Sequence, residues 1–424
     1  MNKKTRPLLV LKSPCATASG YGSHSRDILK SLYELDKYDI KLIPTKWGDT
    51  PQNQLNPETE FGKRAIGDII TTLDKKPDIY IQITVANEFK PIGKFNCGIT
   101  AGVETTLAPQ ETLIGCNKMD LILVPSKFTK DTLQQSAYNK IDKQTKKKVG
   151  EIRLETPIEV LQEGTDLSIF TGKYSNTDIL DSPDVPSWNF LFTGHWLAGA
   201  LGEDRKDVGM LIQTFCTVFK DIPKKKQPGL VLKTSTAGFS IGNREDIIKK
   251  IKNITDKFGD KAPPVILVFG DLPETDVNNL YNHPKIKSMV MFTRGEGYGR
   301  PLAEFATTGK PIIVSKWSGH TDFLPEENTV YLPGTLTKVD PTAANEFLLK
   351  EASWFQVNYS VAAQQLYNVH KNYDEYLEKS KGLQKNIRIN FSLDKMTEQL
   401  GVILDKNIKV PEHVSLVLPK IQKL

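Results

Sequence analysis

The sequence has no run of about 18 apolar residues, the length that a membrane-crossing helix needs. Its first residues, MNKKTRPLLVLKSP, carry basic side chains but only LLVL as an apolar stretch, too short for a signal peptide, so a cytoplasmic protein is expected. Cysteine is scarce. Cys15, Cys97, Cys116 and Cys216 show no CxxC spacing, which excludes a zinc ribbon or dithiol motif and suits small core residues in a reducing compartment. The few histidines are scattered without ligand spacing, and no metal site is expected. Internal repeats and low-complexity tracts are missing too. With 39% hydrophobic and 25% charged residues over a length of 424, the composition suits two folded domains with full cores.

What is present is an alternation of short apolar runs with helical patterns. Strands are expected at 7–11, 79–84, 121–125, 189–193, 229–233, 265–269 and 312–314, and such alternation implies an α/β protein with parallel sheets flanked by helices. The polar stretch SNTDILDSPDVPS reads as a linker. It divides a first domain, 1–185, from a second, 186–385, and a C-terminal helical segment, 386–424, contains the amphipathic run FSLDKMTEQLGVILDK.

The segment MFTRGEGYGRPLAEFATTGKPIIVSKWSGHTDFL concentrates the chemistry. Glu296 lies in a glycine-rich loop where Gly297 and Gly299 would let the backbone approach a ligand. Pro301 suits the first position of the next helix, and Glu304 sits one turn inside it. Carboxylates accept hydrogen bonds from sugar and ribose hydroxyls, and amides at a helix start attract a diphosphate. The plain alternative is a strand-to-helix turn with two solvated glutamates. A second segment, NFLFTGHWLAGALGEDRKDVGMLIQTF, reads as strand, turn at Gly194, loop and helix. Arg205 and Lys206 at that helix start oppose its dipole unless an anion is bound. In a third, SGYGSHSRDILKSLYEL, a glycine turn at Gly20 and Gly22 leads into a helix with Ile28, Leu29, Leu32 and Leu35 on one face.

These segments resemble retaining, nucleotide-sugar-dependent glycosyltransferases of the GT-B fold, the family-four type with its E-x7-E motif. The resemblance implies two Rossmann-like domains facing each other across a cleft, with the C-terminal helix crossing back to the first. It implies that Glu296 holds the donor sugar and Glu304 the ribose, and that Gly194, Arg205 and Lys206 meet the diphosphate. Gly20, Gly22, Gly297, Tyr298 and Gly299 complete the donor-binding set. His195 departs from the family, which often has arginine there. No D-x-D sequence occurs, so the resemblance implies metal-independent transfer with no cofactor beyond the donor, expected to be a UDP-sugar. Where relatives carry a histidine, GITAGVETTLAP offers Glu104, expected to bind or deprotonate the acceptor or else to be a structural carboxylate.

The combination of SGYGSHSRDIL, KWGDTPQN, GITAGVETT and NKMDLILVPSKF is similar to glycosyltransferases of large tailed phages, some of which decorate hydroxymethylcytosine in DNA. That resemblance implies duplex DNA as a partner and, for a phage protein, the host cytoplasm. Tyr21 and Trp47 could then stack on or wedge bases, or be ordinary rim aromatics. Lys140, Lys143, Lys146, Lys147, Lys148 and Arg153 could follow phosphates, dock on anionic lipid, or be solvated. An envelope polysaccharide or lipid-linked glycan is the other acceptor class. A catalytically silent sugar-nucleotide-binding protein is the non-enzymatic alternative.

Overall fold

The computed structural model of the chain describes residues 6–142, 144–175, 179–236 and 238–408; Lys143 and the end of the C-terminal segment, 409–424, lie outside them. Fully buried apolar runs form the central strands of the parallel sheets, as at Ile79–Ile83, Leu121–Val124 and Asn189–Thr193. The first domain contributes β1 (Leu8–Ser13), β2 (Asp39–Pro44), β3 (Ile79–Ile83), β4 (Phe95–Ile99) and β5 (Leu121–Val124). A hairpin of β6 (Tyr138–Ile141) and β7 (Lys148–Ile152) follows, and β8 (Ile158–Val160) returns to the sheet, whose order is β2-β1-β3-β4-β5-β8. Its helices are α1 (Gly20–Leu35), α2 (Glu60–Gly67), α3 (Gln110–Cys116) and α4 (Lys127–Gln135).

The second domain begins with β9 (Asn189–Thr193), α5 (Val208–Phe219), β10 (Gly229–Lys233), α6 (Ile241–Thr255) and β11 (Val265–Val268). It continues with α7 (Glu274–Asn282), β12 (Ile286–Met291), α8 (Arg300–Ala306), β13 (Ile312–Ser315) and β14 (Val330–Leu332). Its sheet is also parallel, in the order β11-β10-β9-β12-β13-β14. A second hairpin, β15 (Gly334–Lys338) and β16 (Ser353–Val357), precedes α9 (Tyr359–Lys371), α10 (Tyr373–Asn390) and α11 (Leu393–Asn407). The expected α/β architecture of two doubly wound sheets is the one observed. No helix among the described residues is long and apolar enough to cross a membrane.

The C-terminal helix crosses back as expected. Met396, Leu400, Ile403 and Leu404 of α11 belong to the first domain's core, and Thr397 Oγ1 donates to Ser31 Oγ of α1 at 2.7 Å. Gly164 makes this crossing close, because a Cβ there would press on the Leu393 backbone. One detail differs from expectation: Pro301 takes the second position of α8, after Arg300. Within the stretch read as a linker, Leu180 and Val185 are buried in the second core, and the lysine-rich run after Tyr138 carries the β6–β7 hairpin.

Strand order locates the crevice. In each sheet the order reverses beside the first strand, between β1 and β3 and between β9 and β12. Ligands in open α/β sheets bind beyond the carboxyl ends of the strands flanking such a reversal. In the second sheet those ends lead into Gly194 and into the loop that carries Glu296.

Candidate functional site

Two loops meet there. The one after β9 ends at Arg205 and Lys206, just ahead of α5, and the one after β12 runs from Phe292 to Gly299. Glu296 is their meeting point. Its Oε1 accepts from Lys206 Nζ and, at 2.6 Å, from Thr293 Oγ1, while Arg205 Nη1 lies 3.4 Å from Oε2. Its amide donates to Ser318 Oγ at 2.9 Å, and its carbonyl accepts from the Gly319 amide at 2.9 Å. Both side chains of the Lys206–Glu296 pair are buried.

Burial pushes the Glu296 carboxyl up, but Lys206 and Arg205 outweigh it and hold it down at about 2. Burial likewise lowers Lys206, against the pull of Glu296. The anion that relieves the two cations at the start of α5 in this structure is therefore Glu296. Lys206 has three N–H groups and spends one on this carboxylate, leaving donors for a second anion. Gly194 adjoins the lysine stem: a Cβ there would stand 3.5 Å from Lys206 Cε.

Glu104 reaches this cluster from the first domain. Its Oε1 lies 3.1 Å from Arg205 Nη1, which also donates to the Gly295 carbonyl at 2.8 Å. A third of the Glu104 side chain remains exposed (34%). Burial raises its pKa, with Arg205 opposing. The backbones touch as well. A Cβ on Gly295 would collide with the Glu104 carbonyl and one on Gly297 with the Ala101 carbonyl, while Ser126 Oγ donates to the Gly297 carbonyl at 2.6 Å.

On the side where a Cβ would stand, Gly297 meets the Ala101 carbonyl and Gly299, at φ +101°, the His320 Cβ, so both glycines let protein backbone and side chains pack closely here. The Tyr298 side chain is buried against Phe323, and its hydroxyl donates to the Glu163 carbonyl at 2.7 Å. At the start of α1 the Gly22 amide is capped, donating to Ser19 Oγ at 3.0 Å; Gly20 is exposed. α8 spans a single short stretch of seven residues.

Glu304 lies apart from Glu296, in a second group of charges. Its Oε1 accepts from Arg300 Nε at 2.7 Å, and its Oε2 is 3.4 Å from the Tyr281 hydroxyl. Burial raises it to about 7, with Arg300 opposing and Glu274 adding to the rise. Tyr21 and Trp47 stack on each other with ring centroids 4.1 Å apart. The Tyr21 hydroxyl is 3.1 Å from Thr100 Oγ1 and accepts from the Ala101 amide at 3.0 Å, which fixes the loop that carries Glu104. Lys146, Lys147 and Lys148 are exposed on the β6–β7 hairpin, which packs on α3, and Lys148 pairs with Glu151 at 2.8 Å.

Several participants escaped the sequence reading. Arg294 is fully buried and donates to the Gly202 carbonyl, 3.7 Å from Asp207, so it braces the loop that delivers Arg205 and Lys206. Ser318 orients Glu296 from the loop after β13. His195 contacts Ser235 Oγ at 3.0 Å, and burial together with Lys206 lowers it to about 4, so it is neutral. Arg300 was readable in principle, because i,i+4 spacing to Glu304 on a helix predicts a pair.

No protein-family model matches the chain, and no curated protein matches it. Solved structures do. A sucrose-phosphate synthase from Thermosynechococcus elongatus is similar with a TM-score of 0.61 at 13% identity, over 95% of this chain and 99% of that one. A glycosyltransferase from Rickettsia africae gives 0.59 at 14% identity over 95% and 99%. The Anabaena protein HepE, in complex with UDP-glucose, gives 0.58 at 11% identity over 95% and 100%. The chain thus has the GT-B fold, shared along nearly its whole length with glycosyltransferases.

Proposed function

We propose that the protein transfers a sugar from a nucleotide-diphosphate donor, with UDP-sugars the first class to test, to an acceptor hydroxyl. One observation carries this reading: Lys206, Arg205, Glu296 and Glu104 converge from two domains at the switch point of the second sheet. The neighbours add support, since HepE was solved with UDP-glucose. In this reading Lys206 and Arg205 meet the diphosphate as the sugar C1–O bond breaks, and one such preorganised donor is worth about 3 kcal/mol in the transition state. Glu296 holds the sugar, and Glu304 the ribose. Glu104 receives the acceptor hydroxyl and takes its proton as the oxygen forms the new bond to C1 on the face the diphosphate leaves, giving retention.

For the acceptor we propose hydroxymethylcytosine in duplex DNA, a reading that rests on the likeness of the first-domain segments to phage enzymes. The exposed lysines of the β6–β7 hairpin suit a phosphate backbone. The test is incubation with a panel of nucleotide sugars and duplex DNA, with or without hydroxymethylcytosine, followed by mass spectrometry of the digested nucleosides. A sugar mass added only to the modified base, and lost in Glu296→Gln, is the expected result. Diphosphate release without any added mass on DNA would assign the acceptor to a glycan or lipid. No turnover, with nucleotide sugar still bound, would make the protein a sugar-nucleotide-binding protein.

A further inference from the structure

The charge group around Glu304 spans both domains, and one side chain joins it. Arg300 offers two edges of its guanidinium. Nε donates to Glu304 Oε1 at 2.7 Å within α8, and Nη1 donates to Asp27 Oδ2 at 2.6 Å on α1 of the first domain. Glu163 Oε2, on the chain leaving β8, lies 3.5 Å from the same Nη1. These side chains are 14% exposed or less. A second crossing stands beside it, with Arg26 of α1 3.1 Å from Glu274 of α7.

A planar fork of this kind fixes the groups it binds in orientation as well as in charge, which a lysine at the same place would not do. Glu304 needs both. Burial works against its ionised form, and Glu274 and Asp27 repel it further; Arg300 is the main opposing cation. Lys233, at the end of β10, feels the Glu304 charge as well. The bond from Arg300 occupies one lone-pair position of a carboxylate that has about four, so positions remain for a pair of hydroxyl donors.

We infer that Arg300 is a positioning residue for the donor: it holds the Glu304 carboxylate in the orientation that receives the ribose hydroxyls and ties that carboxylate, through Asp27, to the first domain. The inference rests on the donor reading above and adds to it the group that makes Glu304 competent. Substrate contact stays with Glu304. Arg300 acts through it.

The experiment is calorimetric binding of UDP, GDP and ADP to the full-length protein, followed by the 2′,3′-dideoxy counterpart of whichever binds. The wild type should prefer the ribonucleotide. In Arg300→Gln the affinity for the ribonucleotide should fall about tenfold, while that for the dideoxy compound stays, so the preference collapses. Asp27→Asn should shrink the same ratio and serves if Arg300→Gln does not fold. A merely structural role weakens both ligands equally, and an unchanged ratio in the folded variants overturns the inference. Equal wild-type affinity for both compounds overturns it as well and leaves the donor reading standing. Binding of no nucleoside diphosphate at all overturns the donor reading itself.

Discussion

At the scale of single residues, the site is built from charges that burial would penalise if they stood alone. Lys206 and Glu296 are each other's compensation, and removing one partner of a buried pair costs about 3–5 kcal/mol because the other is left unpaired. Lys206→Met should therefore lose about that much stability in urea denaturation together with its activity. Lys206→Met/Glu296→Gln should recover most of the stability and none of the activity, and failure of that recovery would show that the pair is not the source of the cost. Glu304 behaves in the opposite sense. Its carboxyl ionises near 4.5 when free and at about 7 when folded, because of burial. Between those values the folded chain keeps a proton that the unfolded chain has released, so this group's contribution to stability falls as pH rises through the window. Glu304→Gln has no such titration. It should gain on the wild type as pH rises from about 4.5 to about 7, by up to ~3 kcal/mol at ~1.4 kcal/mol per unit, and match it at lower pH. Paired denaturation curves across that range check the sign.

At the scale of elements, the loop between β12 and α8 is where sequence reading reached furthest and where it failed most instructively. The two glutamates, the strand before them and the helix after them were legible because local pattern specifies them. The purpose of Gly297 was not, since the atoms beside it come from Ala101, far away in the chain. The same limit hid Arg294 and Ser318, whose partners come from other loops. It also hid the β15–β16 hairpin, whose GTLTK and SWFQV strands carry little pattern of their own. That hairpin joins the site through the Phe355 amide, which donates to the Arg294 carbonyl at 2.9 Å, and through Ser353 paired with Thr106. The glycine contact yields a prediction. A methyl at 297 must push the Glu296 loop away from the Glu104 loop, and a displacement of about 1 Å in a reacting constellation can cost a hundredfold in rate. Gly297→Ala should lower kcat by about that factor while nucleoside diphosphate affinity, which the proposed donor reading assigns mainly to second-domain residues, stays within about threefold. Equal losses in kcat and affinity would count against a role in domain docking.

At the scale of the whole molecule, the two domains have separate cores, joined by polar contacts, by apolar ones such as Phe128 against Trp317, and by the crossing of α11. Arg300 with Asp27, Arg26 with Glu274, and the Lys127 amide with Asp322 Oδ2 at 2.7 Å hold the faces of the cleft together. Interfaces between domains of one chain permit relative motion as the default unless they are large and hydrophobic. α11 stays attached to the first core through Leu400 and Leu404, so a hinge between the domains is expected at the crossing near Gly164 and Thr165. Two of the cross-domain pairs can be removed without touching either core. Asp27→Asn/Glu274→Gln should therefore enlarge the radius of gyration of the free protein in small-angle scattering while its thermal unfolding changes by no more than a few degrees. Added nucleoside diphosphate should contract the wild type further than the double variant, because the variant lacks the Asp27 anchor that links an occupied Glu304 to the first domain. An unchanged radius in the double variant would mean that the domains are held by their remaining contacts and that donor recognition does not govern closure.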